Sequence, residues 1–273
     1  TIAPADGSVA RSPSNDAFTI NNTNVVVDWT TFDSATSSMP IQFLPSGKSL
    51  SYSGPTGFTV LNRIVPSDAT RAIRLDGTVN STVVSARGGN IWCYSPGGGI
   101  AGAGSVFNVG GLLLTSNAID VTGGLFGPNG EIRFRGPAGS GSTVEIEDGA
   151  TISLQNNGSY FAAVAPRVVQ AGTVDVNGSI AYVAAEQADL TINQGLFDIS
   201  VSVGTTDPNG VVHTGVTTGP ARAPNIGEGL FEPDDQQIYM VAVPKNDAIT
   251  LLVSGSLGYV PAVNASQANG VIV

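Results

Sequence analysis

The sequence predicts an all-β protein, a right-handed parallel β-helix with an N-terminal cap and extra-helical strands or loops. Three observations carry this expectation. Glycine (35) and proline (16) abound while charged residues make up only 12% of the chain, too few for surface helices built on Glu, Lys and Arg. Short runs of apolar and β-branched residues are cut at close intervals by Gly-rich corners, with no helical period between them. From Gly77 to about Val203 a phrase recurs after roughly 20 to 23 residues, a period typical of stacked coils.

Taken in order, residues 1–24 are polar and rich in Pro, Ser and Asn, and are expected to cap one end of the structure. Asn24–Trp29 is the first strong strand. Pro40 and Pro45 bracket a short strand, Ile41–Leu44. Phe58–Ile64 alternates toward a polar corner, and Arg71–Leu75 closes on Asp76-Gly77, a turn signal. The run Gly88–Thr115 shows the plan most openly, with Ile91-Trp92-Cys93-Tyr94 and Gly111-Leu112-Leu113-Leu114 separated by Pro96-Gly97-Gly98-Gly99 and further Gly-rich corners.

The repeated phrase is clearest in two copies. Ala150–Leu154 leads through Asn157-Gly158-Ser159 into Tyr160–Ala165, and Thr173–Val176 leads through Asn177-Gly178-Ser179 into Ile180–Ala185. Small side chains in the Ala-rich halves are expected to stack in a narrow interior. Such a unit cannot bury its apolar face alone, whereas stacked neighbours can. A β-sandwich of hairpins competes, because Asn-Gly also makes type I′ hairpin turns, but it does not predict the repeated Ala-rich phrase. Residues 25–203 are assigned to the helix core. After Val203 the pattern breaks: 204–236 reads as an excursion, and strands resume near Ile238 and Ala248 as final coils or a cap, all within one domain of 273 residues.

Composition narrows the function. The net charge of −10 argues against nucleic acid, whose phosphates require clustered Lys and Arg. One cysteine, Cys93, excludes an internal disulfide framework, and its apolar neighbours mark it as a buried, inert thiol. The single histidine, His213, is expected in an exposed loop and cannot build a histidine metal cluster. No stretch approaches the roughly 18 apolar residues of a membrane helix, so no membrane insertion is expected. No cofactor is called for, and the chain is expected to be a monomer.

Motifs with chemical meaning are few. Gly97-Gly98-Gly99 lacks the Gly-Lys-Ser/Thr of a phosphate loop and reads as a coil corner. Asp207-Pro208-Asn209-Gly210 lacks the spaced acids of a calcium loop. Glu145, Glu147 and Asp148, with Asp175, Glu186 and Asp189 further on, are the acids that a carbohydrate-active β-helix, lyase or hydrolase, would need in one groove. Alternation places Glu145 and Glu147 together on an outward face. A passive glycan- or matrix-binding module is the remaining alternative.

Four segments in order resemble a known family: Asn24–Phe32, the strand Val60-Leu61-Asn62-Arg63-Ile64, the run Gly89–Thr115 around Phe107-Asn108-Val109-Gly110-Gly111-Leu112, and the Ala-rich coils 160–166 and 180–186. Together they are similar to the amino-terminal secretion domain of filamentous-haemagglutinin-type exoproteins, the two-partner-secretion adhesins of Gram-negative bacteria. The likeness spans roughly residues 16–203. The family's Asn-Pro-Asn-Gly-Ile pentad aligns with Ser95-Pro96-Gly97-Gly98-Gly99, which keeps the proline and the following glycine.

The resemblance implies a non-enzymatic secretion and folding-nucleation domain of a larger adhesin. It implies export through the periplasm to the cell surface or medium, and recognition by the periplasmic receptor domains of an outer-membrane TpsB-type transporter. The residues it singles out for recognition or for fixing the early coils are Asn62, Arg63, Ser95, Pro96, Gly97 and Gly98.

Overall fold

A computed structural model of the chain describes residues 1–30, 40–137, 139–193, 196–221, 236–245 and 251–259, with short strands at 267–268 and 271–272. Strands and corners account for these residues; among the described residues no helix is long and apolar enough to cross a membrane.

The cap strands β1 (Gly7–Arg11) and β2 (Asn15–Ile20) precede a first coil of β3 (Asn24–Thr30), β4 (Ile41–Leu44) and β5 (Ser49–Gly54). The second coil holds β6 (Thr59–Val65), β7 (Ile73–Leu75) and β8 (Thr78–Val83), which folds back on β9 (Ala86–Arg87). The third is β10 (Asn90–Tyr94), β11 (Gly98–Ala101) and β12 (Val106–Asn108). From β13 (Gly111–Thr115) the chain leaves the stack for β14 (Ala118–Ile119) and β15 (Glu131–Arg135), then completes the fourth coil with β16 (Thr143–Ile146) and the start of β17 (Thr151–Ala165).

The rest of β17, with β18 (Arg167–Gln170) and the start of β19 (Thr173–Ala184), forms the fifth coil. The end of β19 opens the sixth. A second departure, β20 (Gln187–Asn193) and β21 (Leu196–Val203), follows before β22 (Val211–His213) and β23 (Val216–Thr218) complete it. The seventh is β24 (Ile238–Ala242), β25 (Leu251–Val253) and β26 (Ser256–Leu257), with β27 (Gln267–Ala268) and β28 (Val271–Ile272) beyond.

The architecture is the expected parallel β-helix, with three strand columns. Each coil adds one strand to a column, and identical positions stack in register at about 4.8 Å per coil. In the first column Val25, Val60, Ile91, Leu112, Phe161, Ile180 and Ile238 form one unbroken ladder. The second column is a parallel sheet of seven strands, β4, β7, β11, β16, β18, β22 and β25. The Asn-Gly-Ser phrases are neither hairpins nor chain reversals: they bend β17 and β19 from the third column into the first, and Gly158 sits there at φ 73°. Parallel pairing at both corners excludes the sandwich reading.

Two cores result, one inside the coil and one outside it. The interior carries Phe18, Val60, Phe107, Phe161 and Tyr182 among others, all buried. The second core lies between the outward face of the first column and an antiparallel sheet of four strands, β14, β15, β20 and β21. Leu61, Trp92, Leu113, Ala162, Val164, Ala181 and Val183 face Ile132, Phe134, Leu190 and Phe197 across it. A strand buried on both faces reads as a continuous apolar run rather than an alternating one, which accounts for Tyr160–Ala165 and Ile180–Ala185. The expectation that these small residues all stack inside therefore needs correction: alternate ones point outward beneath the extra sheet.

Two further expectations change. Within the passage 204–236, read as an excursion, β22 and β23 are rungs of the stack, paired in parallel with β18 and β19; residues 222–235 lie outside the described residues. His213 is not in an exposed loop: it is fully buried in β22, with Nδ1 2.7 Å from the Ser254 carbonyl oxygen and Nε2 2.8 Å from Thr217 Oγ1. Its short alternating run, Val211-Val212-His213, places the ring inward like Gln170 in the coil above.

Candidate functional site

The six residues singled out by sequence fall on two adjacent coils. β6 and β10 pair in register, placing Asn62 beside Cys93 and Arg63 beside Tyr94, the residue before Ser95. The structure thus brings Asn62 and Arg63 next to the strand that enters the Ser95–Gly98 corner. Neighbours on one strand, they point opposite ways.

Asn62 points into the coil and is buried. Its Oδ1 accepts from Tyr52 Oη at 2.7 Å and from Trp29 Nε1 at 3.0 Å, while Nδ2 donates to the Trp92 carbonyl at 3.2 Å. One amide therefore ties together the first three coils. Around it Phe18 stacks on Tyr52 at 4.9 Å and meets Trp29 edge-on at 5.5 Å, filling the N-terminal end of the interior with rings. Burial raises the Tyr52 hydroxyl well above its ordinary pKa, so it stays a donor.

Arg63 points outward. Its guanidinium grips Asp28, the cross-strand neighbour one coil back, through Nε–Oδ1 at 2.6 Å and Nη2–Oδ2 at 2.9 Å. The pair is exposed, with side-chain accessibilities of 37% and 54%. The hydrogen bond that Arg63 donates to Asp28 raises the Arg63 pKa further, and partial burial raises that of Tyr94 on the next rung. Asp28, Arg63 and Tyr94 form an accessible ladder of fixed charge and an aromatic hydroxyl.

Ser95-Pro96-Gly97-Gly98 makes the tight corner between β10 and β11, closed by a Gly98 N–H to Ser95 carbonyl bond of 3.0 Å. The Ser95 N–H reaches on to the Thr115 carbonyl in the next coil at 3.1 Å. Gly98 has φ 105°, a region L side chains avoid, and a Cβ there would lie 2.3 Å from the Thr143 carbonyl oxygen. A Cβ on Gly97 would lie 2.2 Å from the Arg71 carbonyl oxygen. The corner is wedged between the backbones of the coils on either side, so its shape is set by stacking. Pro96 and Gly97 are half-buried, and Pro96 supplies the accessible side chain.

Three of the candidate acids, Glu147, Asp189 and Glu186, are held by separate cations. Glu147 is bound by Arg74, whose Nη1 is 2.6 Å from Oε1. Arg74 also contacts Asp76 at 2.9 Å. Asp189 meets Arg135 at 2.6 Å on the extra sheet, and the fully buried Glu186 meets Lys245 at 2.6 Å. These cations come from distant points of the chain, which is why sequence neighbours did not reveal them. Glu145 and Glu147 are half-buried, and no group of three metal-ligating side chains occurs among the described residues. Cys93 faces the interior, where burial pushes its thiol up to about 12.

Sequence reasoning placed Asn62 at a strand end and missed its partners, Tyr52 and Trp29. The available signal was an Asn at an inward position of Val60-Leu61-Asn62-Arg63-Ile64, since a buried amide requires hydrogen-bond partners. It also missed the bond from Trp92 Nε1 to Tyr160 Oη, 2.7 Å, which spans the intervening coil in the outer core. Gly111 on that coil lies under the Tyr160 ring, where a Cβ would come within 2.4 Å of it.

No protein-family model matches the sequence, and no curated protein matches it. Among solved structures the chain is similar to the crystal structure of the HMW1 secretion domain from Haemophilus influenzae, with a TM-score of 0.55 and 12% sequence identity. The match covers 89% of this chain and 58% of that one, so the chain spans less than two thirds of that structure's length. At this identity the likeness is one of fold: a three-column β-helix of the kind that serves there as a secretion domain.

Proposed function

We propose that this chain is a secretion and folding-nucleation domain of a larger secreted or surface adhesin, recognised by an outer-membrane two-partner-secretion transporter. The observation that carries the reading is the fold likeness to the HMW1 secretion domain over 89% of the chain. The proposed role is non-enzymatic: of the candidate acids, Glu147, Asp189 and Glu186 are tied up by Arg74, Arg135 and Lys245 at three separate places. Export from a Gram-negative cell suits a chain whose one cysteine is buried and needs no oxidative folding.

The candidates divide by role. Asn62, Gly97 and Gly98 build the first coils, and Ser95 joins the corner to the next one. Arg63 and Pro96 offer accessible surface for recognition. The test is secretion of Arg63→Ala and Pro96→Ala variants from cells carrying the cognate transporter, beside their unfolding midpoints. Reduced export at unchanged stability is expected for Arg63→Ala. Wild-type export of both variants would overturn the assignment of recognition to this ladder.

A further inference from the structure

The seventh coil joins the stack differently from those before it. In the middle of the stack the chain passes from the third column to the first inside one strand, as in β17 and β19, or over the short step from Asn108 to Gly111. Each such corner sets the position of the next rung. β23, by contrast, ends at Thr218 and β24 begins at Ile238, a connection too long to impose a register on the pairing of β24 with β19.

Hydrophobic alternation does not impose one either. A slipped strand is normally penalised because its apolar side chains turn to the wrong face. In β24, Ile238, Met240 and Ala242 face the coil interior while Tyr239 and Val241 face the outer core, so both faces are apolar. One polar contact does tell the registers apart. Glu186, where the chain leaves β19 for β20, is fully buried, and its Oε2 lies 2.6 Å from Lys245 Nζ, just beyond β24. Its Oε1 has no hydrogen-bond partner, so among the described residues Lys245 alone compensates the carboxylate. The backbone seats Lys245 there: its N–H donates to the Thr205 carbonyl at 3.0 Å, and the Thr205 N–H donates to the Val243 carbonyl at 2.9 Å.

We propose that the Glu186–Lys245 pair is a register lock, which selects one alignment of β24 on β19 and so seats the seventh coil on the sixth. A one-residue slip turns the side chains that follow to opposite faces, and a two-residue slip carries Lys245 about 6.6 Å along the strand. Either leaves Glu186 as a buried charge without its cation, whereas the apolar contacts of β24 are mostly exchanged for other apolar ones. Holding register among apolar neighbours is the best-attested role of a buried polar group. The lock is a property of the folded chain and stands whether or not the chain is exported.

Met240 reports on the register, since the chain has two methionines, Met39 and Met240, and Met240 is fully buried in line with Tyr182. In the full chain carrying carbon-13 methyl-labelled methionine, with Met39→Leu to assign the signals, Met240 should give one methyl signal with a cross-peak to the Tyr182 ring. Lys245→Arg, which keeps the cation, should look the same. Lys245→Leu leaves Glu186 unpaired and should lower the folding equilibrium constant by about a hundredfold or more in urea unfolding. The double variant Glu186→Leu/Lys245→Leu should recover to within about tenfold of the wild type, because a well-packed apolar pair replaces the charges. Its Met240 methyl should nevertheless split, with a further signal that lacks the Tyr182 cross-peak. A double variant with a single Met240 signal, or with further signals that all keep the Tyr182 cross-peak, would show a pair that stabilises without choosing a register and overturn the proposal. So would a Lys245→Leu variant within tenfold of the wild type, or a double variant no more stable than Lys245→Leu.

Discussion

At the scale of single residues, Asn62 and Arg63 show how adjacent positions on one strand take opposite work. Asn62→Ala would leave Tyr52 Oη as a buried donor and Trp29 Nε1 as a half-buried one without an acceptor. Each orphan costs about 1–3 kcal/mol, so a loss of about 3 kcal/mol is expected in urea unfolding. Arg63→Ala removes an exposed pair worth at most about 1 kcal/mol, and its midpoint should barely move. His213 gives a second residue-scale prediction. The Ser254 carbonyl can only accept, so Nδ1 carries the proton and Nε2 accepts from Thr217, whose oxygen in turn accepts from Tyr182 Oη at 2.7 Å. Burial lowers the His213 pKa below its unfolded value of about 6.5. A depressed histidine stabilises the fold fully above that unfolded value, and the contribution is lost as pH falls through it. Wild-type stability should therefore drop from pH 7 to pH 5 more steeply than that of His213→Gln; parallel pH profiles would refute the role.

At the scale of elements, the corners decide more than the strands do. Gly98→Ala would place a methyl group against the Thr143 carbonyl and force φ 105° on an alanine, a loss of about 3 kcal/mol. Gly99→Ala is the matched control: its Cβ would meet nothing nearer than Ile73 Cγ1 at 4.0 Å. That substitution should be neutral or stabilise by about 0.5 kcal/mol through the unfolded chain. Equal losses at the two positions, read from thermal or urea unfolding, would show that the corner is not wedged as described. The Gly-rich corners were legible because glycine marks them locally. The extra sheet's cover over the first column was not, because an apolar run such as Tyr160–Ala165 reads the same whether its second face meets the coil interior or another sheet. The ion pairs of Glu147 and Glu186 were hidden for a similar reason, since their partners lie 73 and 59 residues away in sequence.

At the scale of the whole molecule, the stack was legible because it repeats. Val25, Val60, Ile91 and Leu112 are local apolar peaks before they are a ladder, and the period between corners sets which of them align. His213 was misread because a short strand flanked by loop-like sequence carries too little pattern to distinguish a rung from a turn. A stack of this kind holds each coil mainly through its neighbours, so a fault in the middle weakens both flanks. Ala163 lies inside the fifth coil, fully buried and in register with Leu114 before it and Tyr182 after it. Ala163→Asp would bury a carboxylate without a partner at a cost of about 3–5 kcal/mol. Val84, 74% exposed at the tip of the β8–β9 hairpin, provides the control substitution Val84→Asp. If the chain is exported as proposed and coil-by-coil folding outside the cell draws it through a transporter, Ala163→Asp should slow its appearance in the medium while Val84→Asp should not. Should Ala163→Asp unfold at lower urea yet be secreted at the wild-type rate, folding would not be what drives export, and the stack would serve only the protein after its release.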